Sequence, residues 1–328
     1  MDIKNLFMKQ KMMRTVLLAL VPVALVAVFL QGWRVVMLSA FVGLAAVIAE
    51  YLVMRSINRE KTKVSEAVFV SAALFTLTLP PQTPVWIAVV GIVFGVVFGK
   101  AVFGGFGRNV FNPALVGRCF IYVAFPAQMT MTWAQPFLSL PGGFAAWTAG
   151  ADAVTSVTPI IAYNETGALA SNLDLFLGKV AGSLGEASAL VILLAGAFLV
   201  YRKVASWQLM VSTIVSGTAL AAILHYAGVH HSMGMLTAPP LFTLLSGGFL
   251  FGAVFMVTDP VSAPKSKAAQ WVAGALVGLI TVVIRSFSLF TEGMMFAILI
   301  VNAVTPLLEL KLKQFQDRKK QAVKEASA

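Results

Sequence analysis

Cysteine is nearly absent from this sequence. A single one, Cys119, stands among 328 residues. That excludes an intrachain disulfide and any iron–sulfur or zinc centre built from this chain's cysteines alone. Charge is scarce as well: Asp, Glu, Lys and Arg make up 11% of the chain, against about 25% in an ordinary soluble domain. Too few charges remain to coat a water-facing surface, and histidine, with three copies, offers little for a metal site. What is present is apolar: hydrophobic residues reach 59% and mean hydropathy is +0.88. The solvent for such a chain is lipid.

A helix needs about 20 apolar residues to cross a bilayer. Ten such stretches are legible, at 16–32, 35–54, 64–79, 85–103, 110–125, 187–201, 207–227, 241–258, 270–284 and 293–310. The net charge of +11 suggests nucleic acid until its charges are located between these stretches. With the N-terminus on the cytoplasmic side, 20 of the 24 Lys and Arg residues fall inside. Only Arg34, Lys179 and Arg285 fall outside, and Arg118 lies within a span. Basic residues stay cytoplasmic, so both termini are expected there, and no nucleic-acid partner is.

The stretches divide into halves, 1–125 and 187–310, followed by a basic tail at 311–328. Between the halves, residues 126–186 form a long outer connection with many Gly, Pro, Thr and Trp residues. Its aromatic content predicts an ordered segment. The halves echo each other. Residues 78–84 and 258–264 both read T-x-P-x-x-x-P, and 109–113 and 302–306 both read N-x-x-x-P. Five spans per half set the copies in opposite directions, the pattern of an inverted repeat with interrupted helices. The expected fold is an all-α membrane protein of about ten transmembrane helices in two inverted five-helix repeats. The stretch 64–79 is expected to break at Pro80-Pro81, and Gly91, Gly95 and Gly99 make a small face for close helix contact.

Two segments carry the candidate chemistry. Residues 103–114 read F-G-G-F-G-R-N-V-F-N-P-A. Gly104 and Gly105 permit unusual backbone angles, while Arg108, Asn109 and Asn112 supply polar groups at the start of a span. Either a ligand loop or an Asn-capped helix entry fits that pattern. Residues 152–160 read D-A-V-T-S-V-T-P-I, placing three hydroxyls beside a carboxylate in the outer segment. That suits a turn or helix cap as well as a modification site.

Together these segments resemble the RnfD/NqrB family of membrane subunits, found in the Rnf complex and in the sodium-pumping NADH:quinone reductase. Residues 255–264 (F-M-V-T-D-P-V-S-A-P) and 182–186 (G-S-L-G-E) carry further parts of the resemblance, which runs from about residue 14 to 309. It implies an FMN joined through its phosphate to a threonine hydroxyl, installed by a flavin transferase that recognises a pattern close to D-x-x-[ST]-G-A-T. Asp152, Thr155 and Thr158 occupy matching positions, and Ser156-Val157 replaces Gly-Ala. Thr158 is the expected acceptor, with Thr155 and Ser156 the alternatives. A non-covalent riboflavin is implied as well. The quinone-reducing branch usually has a longer N-terminal segment, so this chain is expected in the Rnf branch, coupling ferredoxin:NAD⁺ electron transfer to Na⁺ or H⁺ movement. Its partners would then be the A, B, C, E and G components of Rnf, the transferase and membrane lipid. The other readings are the quinone-reducing homologue and a flavin-free channel or transporter.

Trp133, Phe137 and Trp147 are candidates to stack on a flavin ring, or interfacial anchors. An ionisable group inside a span is a functional candidate by default, which singles out Arg118. Glu50, Asp259, Arg285, Glu292 and Glu309 at span ends read as snorkelling anchors, and Cys119 as a small apolar packer. His225, His230 and His231 read as loop or interfacial residues.

Overall fold

The computed structural model describes residues 7–57, 63–149, 157–186, 188–288, 290 and 292–326, with side chains to 318. The described chain is helical, apart from a two-residue parallel pairing of β1 (Phe7–Met8) with β2 (Val64–Ser65) and the turns between elements. The first half contains α1 (Lys11–Gln31), α2 (Arg34–Ile57), α3 (Ala67–Leu77), α4 (Val85–Gly99) and α5 (Pro113–Ala124). Short helices α6 (Pro126–Thr130), α7 (Pro159–Thr166) and α8 (Asn172–Leu177) lie in the connection. The second half contains α9 (Ala189–Tyr201), α10 (Trp207–Tyr226), α11 (Pro240–Leu245), α12 (Phe249–Phe251), α13 (Lys267–Phe287) and α14 (Gly293–Ala326).

Six of these elements are long and apolar enough to cross a membrane: α1, α2, α4 with its 3₁₀ continuation to Phe103, α10, α13 and α14. Helices α3, α5 and α9 are shorter apolar segments. Outward faces carry bare aliphatic side chains, such as Leu18 and Leu44, each about three-fifths exposed. Water would not tolerate that surface; this is an all-α, multi-pass membrane protein.

The halves pack in parallel fashion. Helix α2 lies on α4 and α4 on α5; α10 lies on α13 and α13 on α14. The halves meet where α1 touches α9 and α5 touches α14. The third segment is interrupted in each. Helix α3 has 11 residues, about 16 Å at 1.5 Å per residue, and stops at Thr78 ahead of the double proline. Its final carbonyls are not orphaned: Gly185 N–H donates to Leu77 O at 2.5 Å and Leu184 N–H to Leu79 O at 3.1 Å.

The stretch at 241–258 is not one helix. Helix α11 ends at Leu245, Gly247 takes φ +61°, and the chain restarts as α12 before passing into a π turn at Gly252–Met256. Small residues at 246–248 permit the break, and Arg285 Nη1 stabilises it by donating to Thr243 O at 3.0 Å and Ser246 O at 3.1 Å. Where helices cross closely, glycine is required. A Cβ on Gly91 would fall 2.7 Å from Ile121 and Phe75, and one on Gly278 would collide with the Thr213 carbonyl.

The described parts of the connection are ordered against the bundle. Trp33 and Arg34 donate backbone N–H groups to Ala146 O and Trp147 O, and Phe137 N–H to Leu30 O. Tyr163 on α7 donates its hydroxyl to Leu236 O at 3.0 Å and packs on Phe242.

Candidate functional site

Two groups of polar side chains are enclosed in this apolar bundle, one toward each end. The first surrounds Thr158. Thr158 is the N-cap of α7, in extended conformation, with its Oγ accepting from Ile161 N–H at 3.4 Å and Pro159 in the first helical position. It lines a cavity of about 30 Å³ with Trp133, Ile160, Gly247, Glu186 and Glu292. That volume suits a water molecule, not an aromatic ring system.

Four charged groups converge beside this cavity from separate parts of the chain. Glu292, just before α14, pairs with Arg118 of α5 at 2.8 Å. Glu186, between α8 and α9, accepts from Ser183 Oγ at 2.7 Å and Ser183 N–H at 3.2 Å. Arg285 of α13 spends only Nη1, on the α11 carbonyls, and lies over the Phe249 ring. Its Nε and Nη2, and Arg118 Nε, are buried with no partner among the described residues. Enclosure pushes the Glu186 carboxyl up to about 7; the neighbouring Glu292 charge adds to the shift, and Arg118 and Ser183 oppose it. A second cavity of about 30 Å³, sharing Ile160 with the first, is lined by Tyr163, Asn164, Thr237, Ser246 and Arg285.

The second group lies where α2, β2 and α4 meet. Lys100 Nζ pairs with Glu50 Oε2 at 2.7 Å and donates to Ser65 Oγ, and Ser65 donates to Glu50 Oε1 through N–H and Oγ. Both charged side chains are 2% exposed. A cavity of about 20 Å³ next to it is lined by Ser71, Lys100, Asn109, Asn112 and Asp259. Asn112 is the N-cap of α5, accepting from Ala114 N–H at 3.0 Å, and Asn109 Nδ2 donates to Phe111 O. Asp259 accepts from Ser262 Oγ at 2.7 Å.

The sequence candidates therefore separate. Arg118 belongs with Thr158, while Asn109, Asn112 and Asp259 belong with Lys100. Gly104 and Gly105 adopt φ of +97° and +91° in a turn against which exposed Arg108 folds. Asp152, Thr155 and Ser156 lie outside the described residues. Trp133 is buried on the Thr158 cavity, Phe137 is half-buried, and Trp147 is 56% exposed.

One expectation is corrected. Glu50, Arg285 and Glu292 do not snorkel: they are 2%, 7% and 8% exposed. Each turns inward because an opposite charge or a set of free carbonyls waits there. Glu309 is nearer the expectation, accepting the exposed N–H groups of Lys265 and Ser266 at the bundle's edge. His231 is buried too, its ring Nε2 bonded to Arg285 O. The sequence signal for the Thr158 cluster was weak but present: Glu186, Arg285 and Glu292 flank ends of apolar stretches and Arg118 lies within one, in a chain with few charges to spare.

Residues 3–316 match the model of the NQR2, RnfD, RnfE family. The chain belongs to that family. Among curated members it is 40% identical to the B subunit of the Na⁺-translocating NADH-quinone reductase of Pseudoalteromonas atlantica, over 80% of this chain and 63% of that protein. The protein of the same name from Pseudomonas aeruginosa is 41% identical over 77% and 61%. That from Neisseria meningitidis serogroup A is 36% identical over 80% and 63%. The chain thus spans somewhat over three-fifths of the length of these family members.

Proposed function

We propose that this chain is an electron-carrying membrane component of a redox-driven, ion-translocating oxidoreductase complex, and that it holds FMN covalently at Thr158. The observation carrying the reading is Thr158 itself: a hydroxyl at a helix N-terminus, on a cavity wall shared with Glu292, the partner of buried Arg118. Helix N-termini favour phosphate oxygens through their free N–H groups and the helix dipole. Ile160 offers such a group at α7, while Ile161 N–H donates to Thr158 Oγ itself. The enclosed cavity is too small for the flavin ring, which would have to lie outside it. Trp133 is the aromatic residue on that wall.

Flavin supplies reversible electron transfer when bound. The chain's own residues do the remainder. Thr158 would fix the phosphate, Arg118 and Arg285 would add positive potential, and the packed α5, α13 and α14 would restrict water. Asp152, Thr155 and Ser156 would present the loop to a flavin transferase. A non-covalent riboflavin stays part of the reading, without assigned residues. The chain does not act alone; it passes electrons between partner subunits, with the Thr158 end on the outer face of a prokaryotic inner membrane and both termini cytoplasmic, following the basic-residue distribution.

The relatives named above favour the quinone-reducing complex over the Rnf complex that the sequence suggested. Electron acceptance by quinone, as opposed to NAD⁺, in the assembled complex separates the two. The flavin is tested by intact mass and in-gel fluorescence of the denatured chain, co-expressed with the transferase. One FMN phosphoester in the wild type, absent from Thr158→Ala, is the expected outcome. An unmodified wild type, with a transferase active on another acceptor, overturns it and leaves a flavin-free transporter as the better reading.

A further inference from the structure

We infer that the cavity enclosed by α7, α10, α11 and α13 binds one small inorganic anion, of the halide class, on the free edge of Arg285. Such a site stands whether or not Thr158 carries flavin.

Arg285 is 7% exposed, and its guanidinium is only partly engaged. Nη1 donates to Thr243 O and Ser246 O, and the Phe249 ring covers the group with its centroid 5.7 Å from Cζ. Nε and Nη2, which form one edge of the guanidinium, have no partner among the described residues. That edge carries two parallel N–H groups, the pair with which arginine grips an anion. The Gly247 turn makes room for it, since a Cβ there would fall 2.8 Å from Nη2. Arg285 lines the cavity together with Ser246 and Thr237, which are 1% and 2% exposed. The hydroxyls of both are buried and likewise unpartnered among the described residues. Ser246 is fixed beside the guanidinium by its own carbonyl. Thr237 is fixed by its N–H to Val229 O and its carbonyl to His225 Nδ1.

Three residues from separate segments thus bring four unmet polar atoms to the wall of one space of about 30 Å³, and all four can donate. Other polar side chains on that wall are already committed. Tyr163 donates its hydroxyl to Leu236 O, Thr243 donates to the Ala238 and Pro239 carbonyls, and His231 spends both ring nitrogens on Arg285 O and Met233 N–H. A water molecule must place two protons of its own as well as accept, whereas an anion accepts from every donor. The charge balance points the same way. No carboxylate is in ion-pair contact with Arg285 among the described residues: Glu292 is held by Arg118 at 2.8 Å, and Glu186 by Ser183. A buried cation without a contact partner is costly, and a halide at the free edge supplies one. The space takes a particle of about the size of water, which leaves no room for a phosphate or an organic acid.

The test is bromide binding to the purified complex, read in two ways. With bromide replacing gluconate at constant ionic strength, the melting temperature should rise and then saturate. Crystals grown in bromide should show an anomalous peak at the Arg285 edge, beside Ser246 and Thr237. Thr237→Val and Ser246→Ala each remove one hydroxyl donor and should raise the half-saturating bromide concentration about tenfold. Glu165→Gln, on the exposed side of α7, should leave it unchanged. A rise that never saturates, or that is the same in both hydroxyl variants as in the wild type, overturns the inference. So does a wild-type crystal with water alone in the cavity, or with its bromide at the α7 N-terminus instead. Should the variants fail to assemble, the wild-type anomalous map decides.

Discussion

The two buried polar groups differ in how completely their members are matched. Around Lys100, one lysine and one glutamate are bound directly and joined by Ser65, with Asp259 on the adjoining cavity and one amide nitrogen, Asn112 Nδ2, unmet among the described residues. Around Thr158, two arginines face two glutamates, yet three guanidinium nitrogens lack partners among the described residues and two cavities adjoin them. Removing charge from water costs several kcal/mol per ion, which a close, satisfied pair offsets. A closed pair resists change; an open cluster leaves donors and space for another charge. The Lys100 group reads as a brace and the Thr158 group as a place where charge can alter.

The contrast breaks most visibly at the brace. Lys100→Met strands the Glu50 carboxylate and should cost about 3–5 kcal/mol, seen as loss of folded protein on heating in detergent. Glu50→Leu with Lys100→Met should recover most of it. A single variant as stable as the wild type would show that the pair holds nothing. Arg285→Met comes next. It frees the Thr243 and Ser246 carbonyls, at about 1–3 kcal/mol for unmet buried groups, but it also removes donors that were themselves unmet. A loss equal to that of Lys100→Met would erase the difference between the two regions.

Glu186→Gln should have a smaller effect that depends on pH. With its folded value raised from 4.5 to about 7, the native state keeps a proton that the unfolded state releases. Stability therefore falls as pH rises from about 4.5 to about 7 and levels above it. Melting temperature should show that decline in the wild type and a flatter line in the glutamine variant; parallel lines would refute the shift. The least effect is expected from Arg14→Ala. Its partner Glu66 lies at the exposed edge, held below the usual carboxylate range first by Arg14 and then by Gln10 N–H. That contribution is present above Glu66's unfolded value and lost as pH falls through the folded one. As an exposed pair it is screened by salt, so only a slight change of melting temperature at low ionic strength is expected.

Much of the bundle was readable from periodicity and hydropathy, because lipid imposes span length on the chain. The early stop of α3 followed from Pro80-Pro81, the α4–α5 crossing from Gly91, Gly95 and Gly99, and the α5 entry from Asn112-Pro113. The division of 241–258 was less visible. Leu, Phe and Val on both sides keep the stretch uniformly apolar, and only Ser246-Gly247-Gly248 marks the break, which Arg285 completes from a distant helix. The Thr158 cluster was the least legible part. Arg118, Glu186, Arg285 and Glu292 come from four segments, and no local rule says whether a span-end charge turns toward lipid headgroups or inward. That depends on which partner the packing supplies.

Helix α3 is held at both extremities. Ahead of its first turn, Ser65 is locked into the Glu50–Lys100 pair; beyond its last, the Leu77 and Leu79 carbonyls are gripped by the turn that carries Glu186. It is a strut about 16 Å long whose two anchor points are the two charged regions. A shift of the Glu186 turn pushes or pulls on the far anchor, so the two ends of the molecule are mechanically in series.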